Sequence, residues 1–183
     1  MNQPDLEHCR RSLKSRTSNA QGHIFEDNIK KACQIYSQQG RAEIDKTPEP
    51  FRVLKKHSNG KFTGIFTALA QPDFQGTLAD GHSVVFEAKY TTAARMERSV
   101  LTQNQMEVLE AHHVLGAMSF VVIGIQSDFY TIPWSIWRDM KQHFGRQYIA
   151  PADIEKWRIK FDGAVRFLDF VHEIPQNPKH LGK

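Results

Sequence analysis

The sequence predicts an α/β fold in which a mixed β-sheet is flanked by helices and carries a projecting β-hairpin. Residues 117–125 form a continuous apolar run, which is typical of a central strand buried on both faces. A segment with helical apolar spacing, Val100–Leu115, connects an earlier strand pattern to this run. That order indicates two parallel strands joined by a right-handed crossover. Two further stretches of strand-forming residues enclose turn residues, as hairpins do.

The remaining elements follow from local patterns. A helix is predicted from Ser18 to Gln39, because apolar residues recur there at spacings of three and four, and Gly40 ends it. A first strand is expected over Arg41–Asp45. Downstream of the central strand we expect a shorter strand over Phe129–Ile132, a helix from Pro133, a short helix from Pro151 and a final edge strand over Val165–Val171.

The first hairpin pattern consists of Phe51–His57 and Lys61–Ala68 around Asn59-Gly60, a strong hairpin signal. Basic residues alternate with aromatic ones along it, which suits contact with a nucleic-acid backbone and with unstacked bases. An ordinary hairpin whose lysines protect its edges is an equal alternative. The basic residues are Arg52, Lys55, Lys56 and Lys61.

The second hairpin pattern joins Asp73–Leu78 to Ser83–Tyr90 through the three-residue loop Ala79-Asp80-Gly81. Centring the hairpin on Asp80 places Asp73 opposite Glu87. Lys89 joins them because it lies two residues beyond Glu87 and so shares its face. A two-residue turn would shift the register and send Asp73 to the other face.

Two carboxylates and an ammonium group at one point can support metal-assisted phosphodiester hydrolysis. The carboxylates of Asp73 and Glu87 can hold a divalent cation, and Lys89 can stabilise a negatively charged reacting group. A solvated strand face is the alternative. Glu26, at the edge of the apolar stripe of the first helix, is either solvated or directed toward the metal. Gln105 either orients water or is an ordinary surface residue.

Composition sets the broad class. The chain has 183 residues, of which 40% are hydrophobic, and this suits one domain with a buried core. We expect a cytoplasmic protein without membrane spans, because there is no run of about 18 apolar residues and no secretion signal, and because the two cysteines lack a metal-binding spacing. The net charge of +4 permits a polyanionic partner.

The chain resembles the PD-(D/E)xK nuclease superfamily, and within it the RecU-type Holliday junction resolvases, also called penicillin-binding protein-related factor A. The resemblance extends in order from about residue 20 to residue 170. It is carried by Gly22–Ile29, Ile44–Pro50, Asp73–Gly76 and Phe86–Thr91, and more weakly by Gln105, Ser119–Ile125 and Gly145-Arg146.

The resemblance implies a restriction-endonuclease-like core, a symmetric homodimer and nicking of paired strands at a four-way DNA junction. Mg²⁺ is the expected cofactor, with Mn²⁺ as a substitute. Asp73 and Glu87 would be metal ligands, with the Ala88 carbonyl as a third, and Lys89 would be the catalytic lysine. Glu26 would be a helix-borne acid near the metal, and Gln105 would lie at the edge of the site.

We expect the chain to have three parts, the first of which is polar and basic, with few large apolar groups. They are a disordered basic tail over residues 1–18, a nuclease domain over 19–172 that includes a stalk at 51–70, and a C-terminal tail over 173–183. Two other functions remain open: a related nuclease that cuts flaps or duplex ends, and a DNA-binding relative without activity. The carboxylate–lysine set argues against the latter, since a pure binder gains nothing from acids that face DNA.

Overall fold

The computed structural model describes residues 3–48, 51–66 and 71–169, and within these ranges the side chains from residue 20 onward except that of Phe66. The helices are α1 Gln3–Gln38, α2 Gln103–Val114, α3 Trp134–Arg138, α4 Met140–Phe144 and α5 Pro151–Ile154. The strands are β1 Ala42–Lys46, β2 Phe51–Lys56, β3 Phe62–Phe66, β4 Phe74–Leu78, β5 Ser83–Thr91, β6 Met96–Glu97, β7 Met118–Ile125, β8 Asp128–Pro133, β9 Tyr148–Ile149 and β10 Arg158–Ile159.

Six strands form one mixed sheet in the order β1-β4-β5-β7-β8-β10. Only β5 and β7 run parallel, and the other neighbours are antiparallel. Helix α2 connects the parallel pair, since two parallel strands need a long crossover rather than a tight turn. The predicted mixed sheet flanked by helices and the predicted parallel crossover are both confirmed.

The hairpin of β4 and β5 has the predicted register. Phe74 pairs with Phe86 and Thr77 with Ser83, so the hairpin is centred on residue 80. Gly81 adopts a φ of 87°, a left-handed conformation that glycine tolerates without a steric cost. The odd-length loop therefore fixes which residues of the two strands share a face.

Gly76 allows β1 to lie against β4. It pairs with Ile44, and a Cβ atom at this position would overlap the carbonyl oxygen of Glu43 and lie 2.6 Å from the Ile44 Cα. A residue without a side chain is therefore required where these two strands meet.

Each face of the sheet covers a separate core. The face under α1 contains a row of stacked rings, in which Phe74 and Phe86 have centroids 4.9 Å apart and Phe86 and Phe120 have centroids 4.8 Å apart. The other face packs against α2, α3 and α4 through residues that include Leu109 and Trp137. Burial of each such side chain stabilises the fold by about 1.5–3 kcal/mol, so β5 is held firmly from both sides.

Helix α1 is longer than the predicted span from Ser18 to Gln39, and it includes residues 3–18 of the expected tail. The helix begins at Gln3, and residues 3–18 belong to it. This stretch lacks glycine, and its one proline lies in the first turn, where proline is tolerated. Seven of its 16 residues are leucine, glutamate, arginine or lysine, which favour helix. The expected C-terminal tail, 173–183, lies outside the described residues.

The last part of the described chain also differs from its prediction. Residues 165–169 do not form an edge strand: Val165 makes a single bridge to Phe161, and residues 167–169 form a turn. The Val165 amide instead donates to the Asn28 carbonyl of α1, which draws this segment away from the sheet. Strand β10 forms that edge of the sheet.

The predicted stalk is a two-stranded hairpin of its own. Strands β2 and β3 pair antiparallel, and the Gly60 turn has a φ of 77°. All six residues of β2 are exposed. Within the described part of the chain, β2 and β3 pair with no third strand. Residues 49–50 and 67–70, which lead into and out of the hairpin, lie outside the described ranges.

Candidate active site

Asp73, Glu87 and Lys89 meet at one end of the β4–β5 hairpin. Asp73 directly precedes β4, and continuation of the observed register by one pair places it opposite Glu87. The Lys89 ammonium donates to Asp73 Oδ2 at 2.9 Å and to Glu87 Oε2 at 2.8 Å. The predicted convergence of these three side chains is therefore observed.

The backbone of Ala88 takes part in the same cluster. Its amide donates to Asp73 Oδ2 at 3.0 Å, while its methyl group is buried in the core beneath the sheet. In a strand, the N–H and C=O of one residue point toward the same neighbour. The Ala88 carbonyl therefore lies on the side of the Asp73 carboxylate.

Gln105 reaches the cluster from the first turn of α2. This helix begins later than predicted because Thr102 caps it, with the Thr102 hydroxyl accepting from the Gln105 amide. In return, Gln105 Oε1 accepts from the Thr102 amide at 3.0 Å, which leaves Nε2 free to donate to Glu87 Oε2 at 2.6 Å. The reciprocal cap thus fixes the orientation of the Gln105 amide.

The pKa values of the three ionisable groups in the cluster are shifted in different directions. Burial raises the pKa of Glu87 to about 7, and Asp73 adds to this rise although Lys89 opposes it. Burial also acts to raise the pKa of Asp73, but the Lys89 charge and the Ala88 amide outweigh it and lower that pKa. Burial disfavours the charged form of Lys89, yet the two carboxylates raise its pKa. Asp73 and Lys89 are thus held as an ion pair.

One oxygen of the cluster has no protein partner. The Glu87 side chain is 1% exposed, and its Oε1 atom is buried without a hydrogen bond. An unsatisfied buried carboxylate oxygen is costly, and it is also a hard oxygen donor suited to a divalent cation. In the described ranges, no group of three or more His, Cys, Asp or Glu residues is arranged to hold a metal ion. Two carboxylates and a carbonyl suit Mg²⁺, which retains several water ligands.

A family model described as Recombination protein U matches residues 20–174. The chain belongs to this family. Membership in the Recombination protein U family confirms the resemblance seen in the sequence, and with it the expected function, an endonuclease that resolves Holliday junctions. Resolvases of this kind use divalent metal ions. No curated protein matches the sequence.

Among solved structures, the chain is similar to a 1.6 Å resolution structure of Hjc from Archaeoglobus fulgidus, a Holliday junction resolvase from an archaeal hyperthermophile. The two chains share 11% sequence identity with a TM-score of 0.42, and the match covers 70% of this chain and 90% of that chain.

Glu26 of this Recombination protein U member lies at the same end of the sheet but is engaged elsewhere. Its carboxylate forms an ion pair with Lys46, the last residue of β1. Among the described contacts, none joins Glu26 to Asp73, Glu87 or Lys89. The sequence did not reveal this pairing, because the two residues lie 20 positions apart on different elements.

The four basic residues predicted to contact DNA are all on the β2–β3 hairpin and are exposed. No ion pair to an acidic side chain is found for them in the described part of the chain. The rings of Phe51 and Phe62 stack on this hairpin with centroids 5.3 Å apart, and both remain about half exposed. In the described residues, no helix is both long enough and apolar enough to cross a membrane.

Proposed function

We propose that the chain is a Mg²⁺-dependent endodeoxyribonuclease that resolves four-way junctions by paired nicking and acts as a symmetric homodimer. The observation that carries this proposal is the cluster of Asp73, Glu87 and Lys89, in which a buried Glu87 oxygen has no protein partner. If the cluster served only as a set of ion pairs, each buried oxygen would be bonded by a protein donor. A cation site instead needs a buried oxygen that is left to bind the ion.

Asp73 and Glu87 would hold the cation, and the Ala88 carbonyl lies on the correct side to be a third protein ligand. A bound divalent cation supplies a nucleophilic water at neutral pH and neutralises charge on the scissile phosphate. Mn²⁺ would substitute, since it accepts the same oxygen ligands.

Three further side chains would contribute without being ligands of the cation. Lys89, which bridges both carboxylates, would turn its ammonium group toward the phosphate and stabilise the charge that develops there. Gln105 would hold Glu87 in place through its capped amide. Glu26 would act at the margin of the site through its ion pair with Lys46, next to the strand end that borders Asp73.

The homodimer would supply two equivalent sites, one for each strand that must be cut. The exposed basic residues of the β2–β3 hairpin would bind the junction backbone, while the exposed rings of the same hairpin would contact unstacked bases. These surfaces give the enzyme its preference for branched DNA in this proposal.

Asp73→Asn tests the proposal. We expect this variant to nick a synthetic four-way junction in Mg²⁺ at least about a hundredfold more slowly, since removal of one group that stabilises the transition state electrostatically costs about 10²–10³ in rate. Junction binding should be retained, because a repulsive charge toward DNA is removed. Nicking is measured on labelled strands under single-turnover conditions, with a chelator as the metal-free reference.

The matched control is Asp80→Asn. Asp80 lies in the turn of the same hairpin, where its side chain accepts from the His82 amide, and asparagine preserves that bond. This variant should nick at the wild-type rate. An Asp73→Asn enzyme as fast as wild type would refute the metal site. A substrate panel of junction, flap, linear duplex and single-stranded DNA then decides between a junction resolvase and another nuclease of the superfamily.

A further inference from the structure

Thr47 extends the row of residues that contains the carboxylates. Strand β1 pairs with β4 through Lys46 and Phe74, and the next pair along is Thr47 and Asp73. The Thr47 amide donates to the Asp73 carbonyl at 2.9 Å, which shows that the pairing continues. Asp73 in turn lies opposite Glu87. Thr47 follows β1, Asp73 precedes β4 and Glu87 belongs to β5, so the three residues lie side by side and share one face.

The Thr47 hydroxyl has no protein partner. Its Oγ1 atom is buried, and no hydrogen bond reaches it. The same is true of Glu87 Oε1. Unsatisfied oxygens therefore flank the Asp73 carboxylate on both sides. Buried polar atoms in native proteins are nearly always paired with protein, water or an ion, so each of these two oxygens is left to pair with water or an ion.

We propose that Thr47 is a positioning residue for the cation site, and this inference rests on the proposed function. Cross-strand neighbours have Cβ atoms about 5 Å apart, so the short Thr47 side chain reaches the coordination shell rather than the ion itself. If a cation were held by Asp73 and Glu87, the Thr47 hydroxyl would accept a hydrogen bond from one of the water ligands of that cation and would thereby orient it.

The backbone around Thr47 is fixed on both sides, as this role requires. The preceding residue, Lys46, is tied to Glu26 of α1, and the Thr47 amide is tied to Asp73. Because its backbone is held in this way, the Thr47 hydroxyl would keep its orientation when a cation binds. Outer-shell groups of this kind affect metal affinity by about 10–100-fold.

The experiment is a calorimetric titration of Mn²⁺ into the full-length protein without DNA. Thr47→Val removes the hydroxyl and keeps the shape of the side chain, and we expect about tenfold weaker Mn²⁺ binding. Thr47→Ser keeps the hydroxyl and should bind Mn²⁺ as wild type does. Without metal, Thr47→Val should be at least as stable to urea as wild type, because it loses an unpaired buried hydroxyl.

Thr77→Val is the matched control, since Thr77 is exposed at the far end of β4 and should leave Mn²⁺ affinity unchanged. If Thr47→Val does not fold, the smaller Thr47→Ala replaces it and should show the same loss. Wild-type affinity in either variant overturns the inference, as does an equal loss in Thr47→Ser. Asp73→Asn separates the two proposals: if it too binds Mn²⁺ normally, the metal site itself is wrong.

Discussion

Glu87 is an acid whose surroundings favour its neutral form. Its side chain is almost fully buried, and burial raises its pKa to about 7. The neighbouring Lys89 and Gln105 bond only one of its two oxygens. In the proposed function, cation binding to the ionised form offsets the resulting cost of ionisation. The same residue therefore links the stability of the protein to pH and to metal.

The direction in which stability changes with pH can be tested. Because the pKa of Glu87 is about 7 in the folded protein and 4.5 ordinarily, the folded state binds more protons between these values. Metal-free stability should therefore fall as pH rises from about 4.5 to 7, by up to about 3 kcal/mol from this group. Glu87→Gln should remove that part of the fall. Urea unfolding at about pH 5 and about pH 8 in chelator measures it.

Glu107→Gln serves as the control, because Glu107 is an exposed acid on α2 and should leave the fall in place. An identical pH dependence in wild type and Glu87→Gln would show that Glu87 titrates normally. With metal present, stability should instead rise with pH, because a cation binds the ionised carboxylate of Glu87 and not its protonated form. Mn²⁺ affinity should therefore weaken below about pH 7.

At the scale of elements, the site depends on how closely β1 lies against β4. Gly76 sets this distance, and the pairing it permits continues to Thr47 and Asp73. Any side chain at residue 76 must push the two strands apart. The stability of the sheet and the geometry of the carboxylate cluster are therefore coupled through a position outside that cluster.

Gly76→Ala should destabilise the protein by at least about 2 kcal/mol, because its methyl group overlaps the β1 backbone. Nicking should fall as well, since Asp73 loses its support. Gly22→Ala provides the opposite case: nothing lies within 4 Å of a Cβ there, and alanine in the interior of α1 should stabilise by up to about 1 kcal/mol. Thermal unfolding and nicking of both variants test this, and equal stabilities would contradict it.

At the scale of the whole molecule, the carboxylate cluster and the exposed basic hairpin belong to different sheets. The carboxylates lie at one end of the β4–β5 hairpin of the six-stranded sheet, whereas the exposed basic residues lie on a hairpin that forms its own small sheet. In the proposed function the hairpin supplies salt-dependent affinity and the sheet supplies chemistry. Changes in one part should therefore leave the other intact.

Replacing Lys55 and Lys56 with glutamine should weaken junction binding and lower the slope of log affinity against log salt by about 2, close to one for each phosphate that is no longer neutralised. Binding is measured across a KCl series in chelator. The matched double variant replaces Lys141 and Lys160, which are exposed outside the hairpin, and should keep the slope. Mn²⁺ affinity should not change in either. An unchanged slope in the hairpin variant would exclude it from the DNA interface.

Local rules were sufficient for the parts of the fold that depend on short-range sequence. Loop length and alternation predicted the register of Asp73 and Glu87, and the apolar run predicted the central strand β7. The hydrogen bond from Gln105 to Glu87 could not be predicted, because it depends on where α2 lies against the sheet. Helical periodicity does not specify that position. The signal that was available, Thr102 and Gln105 at capping-box spacing, was missed.

Other features depend on contacts between distant elements. The ion pair of Glu26 and Lys46 requires α1 to cross the end of β1. The turn after Val165 follows from its bond to α1, which overrides a strand-like sequence. The N-terminal part of α1 differs from its prediction for a local reason. Its low hydrophobicity favours a disordered tail, but its residues have helix-forming propensity and the structure places them in the helix.

The bridge that Lys89 makes between the two acids has a consequence for biosynthesis. Because an internal ammonium already balances most of the carboxylate charge, the polypeptide can fold without waiting for an inorganic ion. Zinc-finger domains, by contrast, remain unfolded until they are loaded. Newly made molecules would thus reach their mature shape while inert, and the supply of divalent cations would govern when they become active rather than whether they fold.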